Sequence, residues 1–227
     1  GTELVASYEW DFAFVLNYRE ALVEGFYGTL KIGFSSLALG IVIGLLLAVM
    51  RLSRHWFVKA PAIAIIEFFR ATPVLVLLFW CYYALPIVIG VAFDAFTAVI
   101  ITLGLQTGAF MAEVYRAGIV SIDRSQWEGG KALGMGTLPL MRRIILPQAI
   151  RRMVPPFLER SFELMKTTTQ ASIVTYGELL YSALLLQAQL YRPLEILTLV
   201  ALFYLIMLTL ASFTVRHIET RLDAARL

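Results

Sequence analysis

Four long runs of apolar residues, none of which contains a charged side chain, constrain the fold of this chain more than any other feature. The runs are residues 32–50, 71–93, 95–112 and 196–215. A helix needs about 20 mainly apolar residues to cross the hydrocarbon core of a bilayer. Hydrophobic residues make up 59% of the chain and charged residues 15%, which argues against a water-soluble chain and excludes an intrinsically disordered one. Each run therefore predicts a transmembrane helix.

A fifth, weaker span is predicted within residues 156–191, from the distribution of basic residues. Most of the 19 Lys and Arg residues follow the first, third and last apolar runs. These basic segments share one side of the membrane only if another span separates Arg160 from Ile196, and the positive-inside rule makes that side cytoplasmic. The prediction is an all-α integral membrane protein with five transmembrane helices, an outside N-terminus and a cytoplasmic C-terminus. Because the basic residues flank spans, they indicate orientation and not a nucleic-acid site.

The spans divide the chain into three predicted segments. Residues 1–24 form an N-terminal segment outside the membrane, residues 25–216 form the transmembrane domain with a long cytoplasmic loop at 117–156, and residues 217–227 form a cytoplasmic tail. No signal peptide is recognised. An odd number of spans disfavours a complete inverted-repeat transporter in one chain. One Cys and two distant His residues are too few for a disulfide or a His/Cys metal cluster, so no metal site is expected.

The long loop contains a glycine-rich stretch that suits docking to another protein. Gly129, Gly130 and Gly134 lie at helical spacing, which predicts Gly130 and Gly134 on one helix face. Such a face lets another backbone approach closely, although each Gly destabilises an isolated helix by about 1 kcal/mol. A flexible loop whose glycines serve turns is an equally good interpretation of these residues alone.

The same loop carries a signature that resembles the one in membrane subunits of bacterial ABC importers. The family pattern has Glu-Ala-Ala, then a Gly, an Ile and a Leu-Pro pair at fixed offsets. The matching positions here are Glu128, Gly134, Ile144, Leu146 and Pro147. Gly129 and Gly130 replace Ala-Ala, and both are small enough to preserve a docking surface. The resemblance implies the type I ABC importer permease fold, with a coupling helix at residues 125–136. Pro147 is expected to end one helical stretch and direct the chain into the next.

Further motifs resemble the polar-amino-acid branch of these importers, to which the histidine permeases belong. They are Glu-Phe-Phe-Arg-Ala-Thr-Pro at 67–73, Ala-Glu-Val-Tyr-Arg at 112–116 and Met-Lys-Thr-Thr at 165–168. The resemblance covers about residues 25–221. Two positions depart from the branch, because Leu77 replaces the usual Gln and Thr167 replaces the Asp that often follows the lysine. Both positions bear on which amino acid is recognised.

The resemblance implies a permease subunit of the bacterial inner membrane, with residues 1–24 in the periplasm. Its expected partners are ABC ATPase subunits, a second permease subunit that is identical or paralogous, and a periplasmic substrate-binding protein. No Gly-x-x-x-x-Gly-Lys-[Ser/Thr] phosphate-binding loop occurs in the sequence. The chain is therefore expected to bind no cofactor and to catalyse no reaction, with ATP and Mg²⁺ bound by the ATPase. Glu128 would pair with a basic residue of that ATPase or cap the coupling helix, and a solvated surface glutamate is the alternative.

Polar residues at membrane depth are costly in lipid and mark a candidate substrate pathway. The fourth span supplies a stripe that is predicted to share one helix face: Glu159, Glu163, Lys166 and Gln170. With Thr167, this stripe is able to hydrogen-bond the carboxylate and ammonium groups of an amino acid. Lys166 is expected to bind the carboxylate, with Glu163 as its competing partner. The alternative is that the glutamates only pair with Arg160 or Arg116 near the cytoplasmic surface.

The third span adds Gln106, Thr107 and Glu113 to the candidate pathway. Gln106 equally suits an interhelical hydrogen bond, because such residues hold helix bundles together. Five helices with one polar stripe do not enclose a pore, so a second subunit is expected to complete it.

Other residues are predicted to stabilise the fold through helix packing or ion pairing. Gly40-x-x-x-Gly44 favours close packing of the first span, and Glu67 and Arg70 are three positions apart and expected to pair.

Two other function classes fit the sequence less well. An ion-coupled transporter or a channel does not need an ATPase-docking loop. An intramembrane enzyme needs a nucleophile with a base or a metal motif, and the sequence has neither His-Glu-x-x-His nor Gly-x-Ser-x-Gly.

Overall fold

The computed structural model describes residues 9–224, with side chains in that range except at residue 14 and residues 214–224. Every regular element in this range is helical. The α-helices are α1 Phe12–Leu16, α2 Arg19–Arg51, α3 Trp56–Ala71, α4 Val74–Phe79, α5 Leu85–Ile89, α6 Ala95–Val120, α7 Arg124–Ala132, α8 Thr137–Leu140, α9 Leu146–Thr167, α10 Leu179–Leu190 and α11 Pro193–Ala224. Two π-helical turns, Trp80–Ala84 and Met141–Ile145, and a 3-10 segment, Thr168–Val174, lie between them. Parts of the predicted terminal segments, residues 1–8 and 225–227, lie outside the described residues.

Helices α2 and α6 form the central pair of the fold, and glycines on both allow close packing. A Cβ added to Gly40 of α2 would lie 2.7 Å from Thr107 Cγ2 of α6, and one added to Gly44 would lie 2.6 Å from Met111 Cβ. Side chains of α2 pack equally closely against two glycines of α6. The backbones therefore approach more closely than larger residues would permit. The predicted packing role of Gly40-x-x-x-Gly44 is confirmed.

The second apolar run does not form one straight helix. Helix α3 and the following helical stretch, Val74–Ile89, are bent by 106° at the break between them. Pro73 explains the break, because it lacks an N–H and disfavours helical geometry at the preceding residue, Thr72, whose ψ is 131°. Just before the bend, Arg70 Nη1 lies 3.3 Å from Glu67 Oε1, so the predicted pairing is confirmed.

Helix α7 is shorter than the coupling helix predicted at residues 125–136. Gly134 has a φ of +74°, the left-handed conformation that commonly follows the C-terminus of a helix and that glycine adopts without strain. The prediction that Gly130 and Gly134 share a helix face is therefore wrong, because the helix ends before Gly134.

Pro147 does not end a helix as the sequence predicts, and the chain runs on helically from α8 into α9. A proline inside a helix lacks its own N–H and crowds the carbonyl four residues earlier. The chain accommodates this with the π-helical turn, in which the N–H of Leu146 bonds to the carbonyl oxygen of Met141. The other π-helical turn precedes a second Leu-Pro pair, Leu85-Pro86, so the same chemistry recurs there.

Helix α9 ends at Thr167, and the chain continues through the 3-10 segment to Glu178, which caps α10. The Glu178 carboxylate accepts hydrogen bonds from the N–H groups of Leu180 and Tyr181 at 2.9 and 2.7 Å. It also faces Thr29 Oγ1 of α2 at 3.5 Å and Tyr204 Oη of α11 at 3.4 Å. This fully buried carboxylate therefore ties three helices together. The predicted single helix face from Glu159 to Gln170 is interrupted, because Gln170 lies in the 3-10 segment.

Within residues 9–224, three helices are long and apolar enough to cross a membrane: α2, α6 and Pro193–Phe213 of α11. The bent pair around Pro73 raises the number to four if it counts as one span. The predicted fifth span corresponds to α9, the 3-10 segment and α10, which do not form one long apolar helix.

Candidate functional site

A small cavity lies between α6 and α9, where the sequence predicts the substrate pathway. Its lining residues are Leu103, Gln106, Thr107, Phe110, Arg160, Glu163, Leu164 and Thr167. Four of the seven predicted pathway residues therefore meet here, two from each helix. The cavity volume is about 50 Å³, enough for water but well below the ~300 Å³ at the lower end of typical ligand pockets.

Gln106 joins this cavity to the bend after α3. Its Nε2 donates to the carbonyl oxygen of Thr72 at 3.2 Å and faces that of Phe69 at 3.4 Å. Helix ends leave carbonyl groups without intrahelical partners, and Gln106 satisfies them here. The interhelical hydrogen bond that the sequence allowed for Gln106 is therefore present, in a side chain that also lines the cavity.

An ion pair between Arg160 and Glu163 forms the charged part of the cavity wall. The two residues are three positions apart on α9, a spacing at which opposite charges meet on a helix. The Arg160 guanidinium also lies over the ring of Phe110, 4.2 Å from its centroid. Sequence reasoning treated Arg160 only as a partner for nearby glutamates and did not include Phe110. The i, i+3 spacing to Glu163 was the signal that would have placed Arg160 in the site.

The two threonines contribute to the cavity in different ways. Thr167 Oγ1 donates to the backbone carbonyl of Glu163 at 2.8 Å, which holds its side chain against α9. Thr107 is almost fully buried and packs against Gly40. Thr107 therefore has a structural role at the α2–α6 contact as well as a place in the cavity wall.

Lys166 lies in a different groove, between α9 and α11. This groove has a volume of about 400 Å³, and its lining residues are Phe162, Lys166, Leu205, Leu208, Thr209, Ser212 and Phe213. Because successive residues of a helix point in different directions, Lys166 does not share the cavity that contains Glu163 and Thr167. Gln170 also lies outside that cavity, and its Oε1 is buried without a hydrogen-bond partner among the described residues.

Glu113 lies beyond Phe110, nearer the long loop, in an ionic cluster. Its Oε2 is 2.7 Å from Arg51 Nη1 of α2, and its Oε1 pairs with Arg116 one turn later on α6. Hydrogen bonds from Arg116 to Oε1 and the positive charge of Arg51 beside Oε2 hold Glu113 in place. The structure therefore places Glu113 outside the small cavity that contains Gln106 and Thr107.

Glu113 lines a second, larger cavity that opens beside the long loop. It has a volume of about 450 Å³, and its lining residues are Arg70, Phe110, Glu113, Val114, Ala117, Gly118, Ser121, Arg152, Pro156, Glu159 and Arg160. Glu159, the first residue of the predicted stripe, lies here and not in the small cavity. The two cavities share Phe110 and Arg160.

The three glycines of the predicted coupling helix have different surroundings. A Cβ on Gly129 or Gly134 would meet nothing within 4 Å, whereas one on Gly130 would lie 2.3 Å from Leu140 Cδ1. Glu128 is exposed and pairs with Arg124 at 2.8 Å, on the same helix. Gly129 and Gly134 therefore leave open surface, and Gly130 serves packing within the chain.

The remaining signature residues lie at the transition from the π-helical turn to α9. Ile144 is partly buried against the cluster of Ile122, Leu140, Ile145, Ala149 and Met153 under the long loop. Leu146 and Pro147 lie on the exposed side of the first turn of α9. Ile144 therefore packs against the apolar core of the long loop, and the Leu-Pro pair remains on its surface.

Comparison with known proteins identifies the family. Residues 40–224 match the family described as binding-protein-dependent transport system inner membrane component. The glutamine transport system permease protein GlnP of Escherichia coli is 37% identical over 202 residues, covering 88% of this chain and 92% of that protein. A probable amino-acid ABC transporter permease protein of Bacillus subtilis, YckA, is 34% identical over 205 residues, covering 88% and 90%. The octopine transport system permease protein OccM of Rhizobium radiobacter is 36% identical over 224 residues, covering 95% and 90%.

Solved structures agree with this family. The crystal structure of an amino acid ABC transporter with histidines superposes with a TM-score of 0.90 and 31% identity, covering 94% of this chain and all of that chain. The MetNI methionine ABC transporter in an inward-facing conformation shares the fold, with a TM-score of 0.74 and 22% identity. The predicted resemblance to amino-acid ABC importer permeases is confirmed, and the fold is that of type I ABC permeases. This chain belongs to the family of inner-membrane components of binding-protein-dependent transport systems.

Proposed function

We propose that this chain is the transmembrane permease subunit of an ATP-driven, binding-protein-dependent amino-acid importer. Family membership and the permease names of its relatives support this role. The proposal includes five spans in the inner membrane, an N-terminus in the periplasm and a C-terminus in the cytoplasm. The excess of basic residues after the first, third and last apolar runs supports that orientation.

The Arg160–Glu163 pair is the observation that carries the substrate proposal. An amino acid presents a carboxylate and an ammonium group a few ångströms apart, and Arg160 and Glu163 present the two complementary charges on one cavity wall. Charge-assisted hydrogen bonds to both groups would select the zwitterionic part common to amino acids. Gln106 and Thr167 add neutral polar groups beside the pair. We therefore assign the substrate carboxylate to Arg160, in place of the Lys166 that the sequence suggested.

A second permease subunit would complete the pathway. The small cavity is too small for an amino acid, and the Glu163 side chain is 62% exposed. An exposed carboxylate at membrane depth is costly in lipid, so another protein surface or a water-filled passage must cover it. Relatives carry names that mention glutamine and octopine, and the structural neighbour was crystallised with histidines. We infer an amino acid or amino-acid derivative as the substrate of this chain.

The long loop would couple transport to ATP hydrolysis on a separate subunit. In this family the membrane subunit does not hydrolyse ATP, and the ATPase subunits do. Side chains at Gly129 and Gly134 would meet nothing within 4 Å and Glu128 is exposed, so an ATPase cleft is able to receive this surface. ATP and Mg²⁺ would bind to that ATPase and not to this chain.

Reconstitution of the purified complex tests this function. The permease, its co-purifying ATPase and its binding protein are placed in proteoliposomes, and uptake of a radiolabelled amino-acid mixture is measured with and without ATP. The proposal predicts accumulation that requires both ATP and binding protein. ATP-independent accumulation would contradict it and favour an ion-coupled transporter.

A further inference from the structure

Two side chains, Phe110 and Arg160, line both the small cavity and the large cavity. The small cavity contains Gln106 and Glu163, and the large cavity opens beside the long loop. A solute that moves directly from one cavity to the other would pass between these two side chains.

The Phe110 ring is held from two helices. The Arg160 guanidinium of α9 lies 4.2 Å from the ring centroid, and the Arg70 guanidinium of α3 lies 5.8 Å from it. A guanidinium over an aromatic face is attracted by the negative potential of the ring, and the attraction grows as water is removed. Each arginine has its own carboxylate, because Arg160 pairs with Glu163 and Arg70 pairs with Glu67. The ring is thus fixed by two cations whose positions depend on neighbouring charges.

We propose that Phe110 and Arg160 form a gate that closes the candidate site towards the long loop, and that Glu163 controls this gate. The inference rests on the proposed function, because it assumes that the small cavity is part of the pathway. A substrate carboxylate bound to Arg160 and a substrate ammonium bound to Glu163 would break the ion pair between these two residues. The guanidinium would then leave the Phe110 ring, and the two cavities would become continuous.

Thiol labelling measures this gate without substrate or ATP. The complex carries Cys81→Ala to remove the native cysteine and Thr167→Cys to place a reporter in the small cavity. A charged, membrane-impermeant methanethiosulfonate is applied from the side that bears the long loop. Since labelling rate depends on access of the reagent to the thiol, we expect Phe110→Ala to raise it at least about tenfold.

Phe162→Ala is the matched control, because Phe162 lies on α9 near Arg160 but lines the groove that contains Lys166. Its labelling rate should equal that of the parent. Arg160→Met keeps a long side chain without the cation and should also raise the rate. Phe110→Leu serves if the alanine variant does not assemble, and it should give an intermediate rate.

The gate would be overturned if Phe110→Ala and Arg160→Met both label at the same rate as the parent. It would also be overturned if Phe162→Ala raises the labelling rate as much as Phe110→Ala does. Because the assay needs no transport, a failed gate is distinguishable from a failed transport function. An importer that accumulates amino acids with ATP but shows unchanged labelling would keep its function and lose the gate.

Discussion

Gly130 packs against Leu140 so closely that a Cβ on residue 130 would lie 2.3 Å from Leu140 Cδ1. This contact joins α7 to α8 within the chain. Of the three glycines that the sequence assigned to ATPase docking, Gly130 therefore has a different role from Gly129 and Gly134. In this chain, Leu140 occupies the space that a side chain at residue 130 would need.

Substitutions at the three glycines should separate folding of the loop from docking. Gly129→Leu meets open space and favours the helix, so the permease should assemble normally while ATPase association falls. Gly130→Leu overpacks the contact with Leu140, and should destabilise the permease itself by roughly 1–3 kcal/mol. The measurements are co-purification of the ATPase and the thermal midpoint of the isolated permease.

Gly134→Asn is the control for these loop variants. Asn adopts a positive φ more readily than other non-glycine residues, so the thermal midpoint of the permease should persist. Normal ATPase association in Gly129→Leu would remove the surface around Gly129 from the docking site.

Gly40→Val should disrupt the central pair of helices. The added side chain would overlap Thr107 at the α2–α6 contact. The two helices would have to move apart to accommodate it, and they would then lose packing along their whole length. We expect a lower yield of folded permease and a lower thermal midpoint. Ala38→Val, at an exposed position of the same helix, should leave both unchanged. A Gly40→Val permease as stable as Ala38→Val would contradict the close approach.

The sequence predicted those contacts whose evidence lies within one short segment of the chain. Gly40-x-x-x-Gly44 marks close packing whatever the partner helix, and Glu67 and Arg70 are near enough along one helix to pair. The apolar runs likewise predicted helices, since only intrahelical hydrogen bonds satisfy a backbone in lipid. The resemblance in the long loop identified the family for the same reason, because the signature lies within one continuous segment.

The site was predicted only in part because it depends on helix rotation and on contacts between distant segments. Periodicity placed Lys166 with Glu163, but it does not specify which neighbour each face meets, and Lys166 faces α11. It also assumed a helix that continues through Gln170, whereas α9 gives way to a 3-10 segment. Phe110 carried no polar signal and became evident only through its position between two arginines.

The Arg51–Glu113 ion pair should contribute measurably to stability. Both side chains are largely buried, with 17% and 23% exposure, and the atoms are 2.7 Å apart. A double-mutant cycle with Arg51→Met and Glu113→Leu should give a coupling energy of about 1–2 kcal/mol. The exposed Arg124–Glu128 pair is the control and should give less than about 0.5 kcal/mol. Equal coupling in both cycles would contradict the importance of burial here.

Cysteine labelling distinguishes five spans from four. In a Cys81→Ala background, Val91→Cys, Lys131→Cys and Gln189→Cys place single thiols at exposed positions in three segments. If α9, the 3-10 segment and α10 together cross the membrane, positions 91 and 189 label from outside the cell and position 131 does not. Labelling of positions 131 and 189 from the same side would remove the fifth span.

In the proposed function, Arg160 and Glu163, and not Lys166, recognise the substrate. Glu163→Gln and Lys166→Gln make a matched pair, because each removes one charge from the same helix. ATP-driven uptake by reconstituted complexes with the same binding protein is the measurement that decides between them. Loss of one charge-assisted hydrogen bond, worth about 1.5 kcal/mol, predicts roughly tenfold slower uptake in Glu163→Gln and nearly unchanged uptake in Lys166→Gln. Slow uptake in Lys166→Gln together with normal uptake in Glu163→Gln would contradict substrate recognition by Arg160 and Glu163.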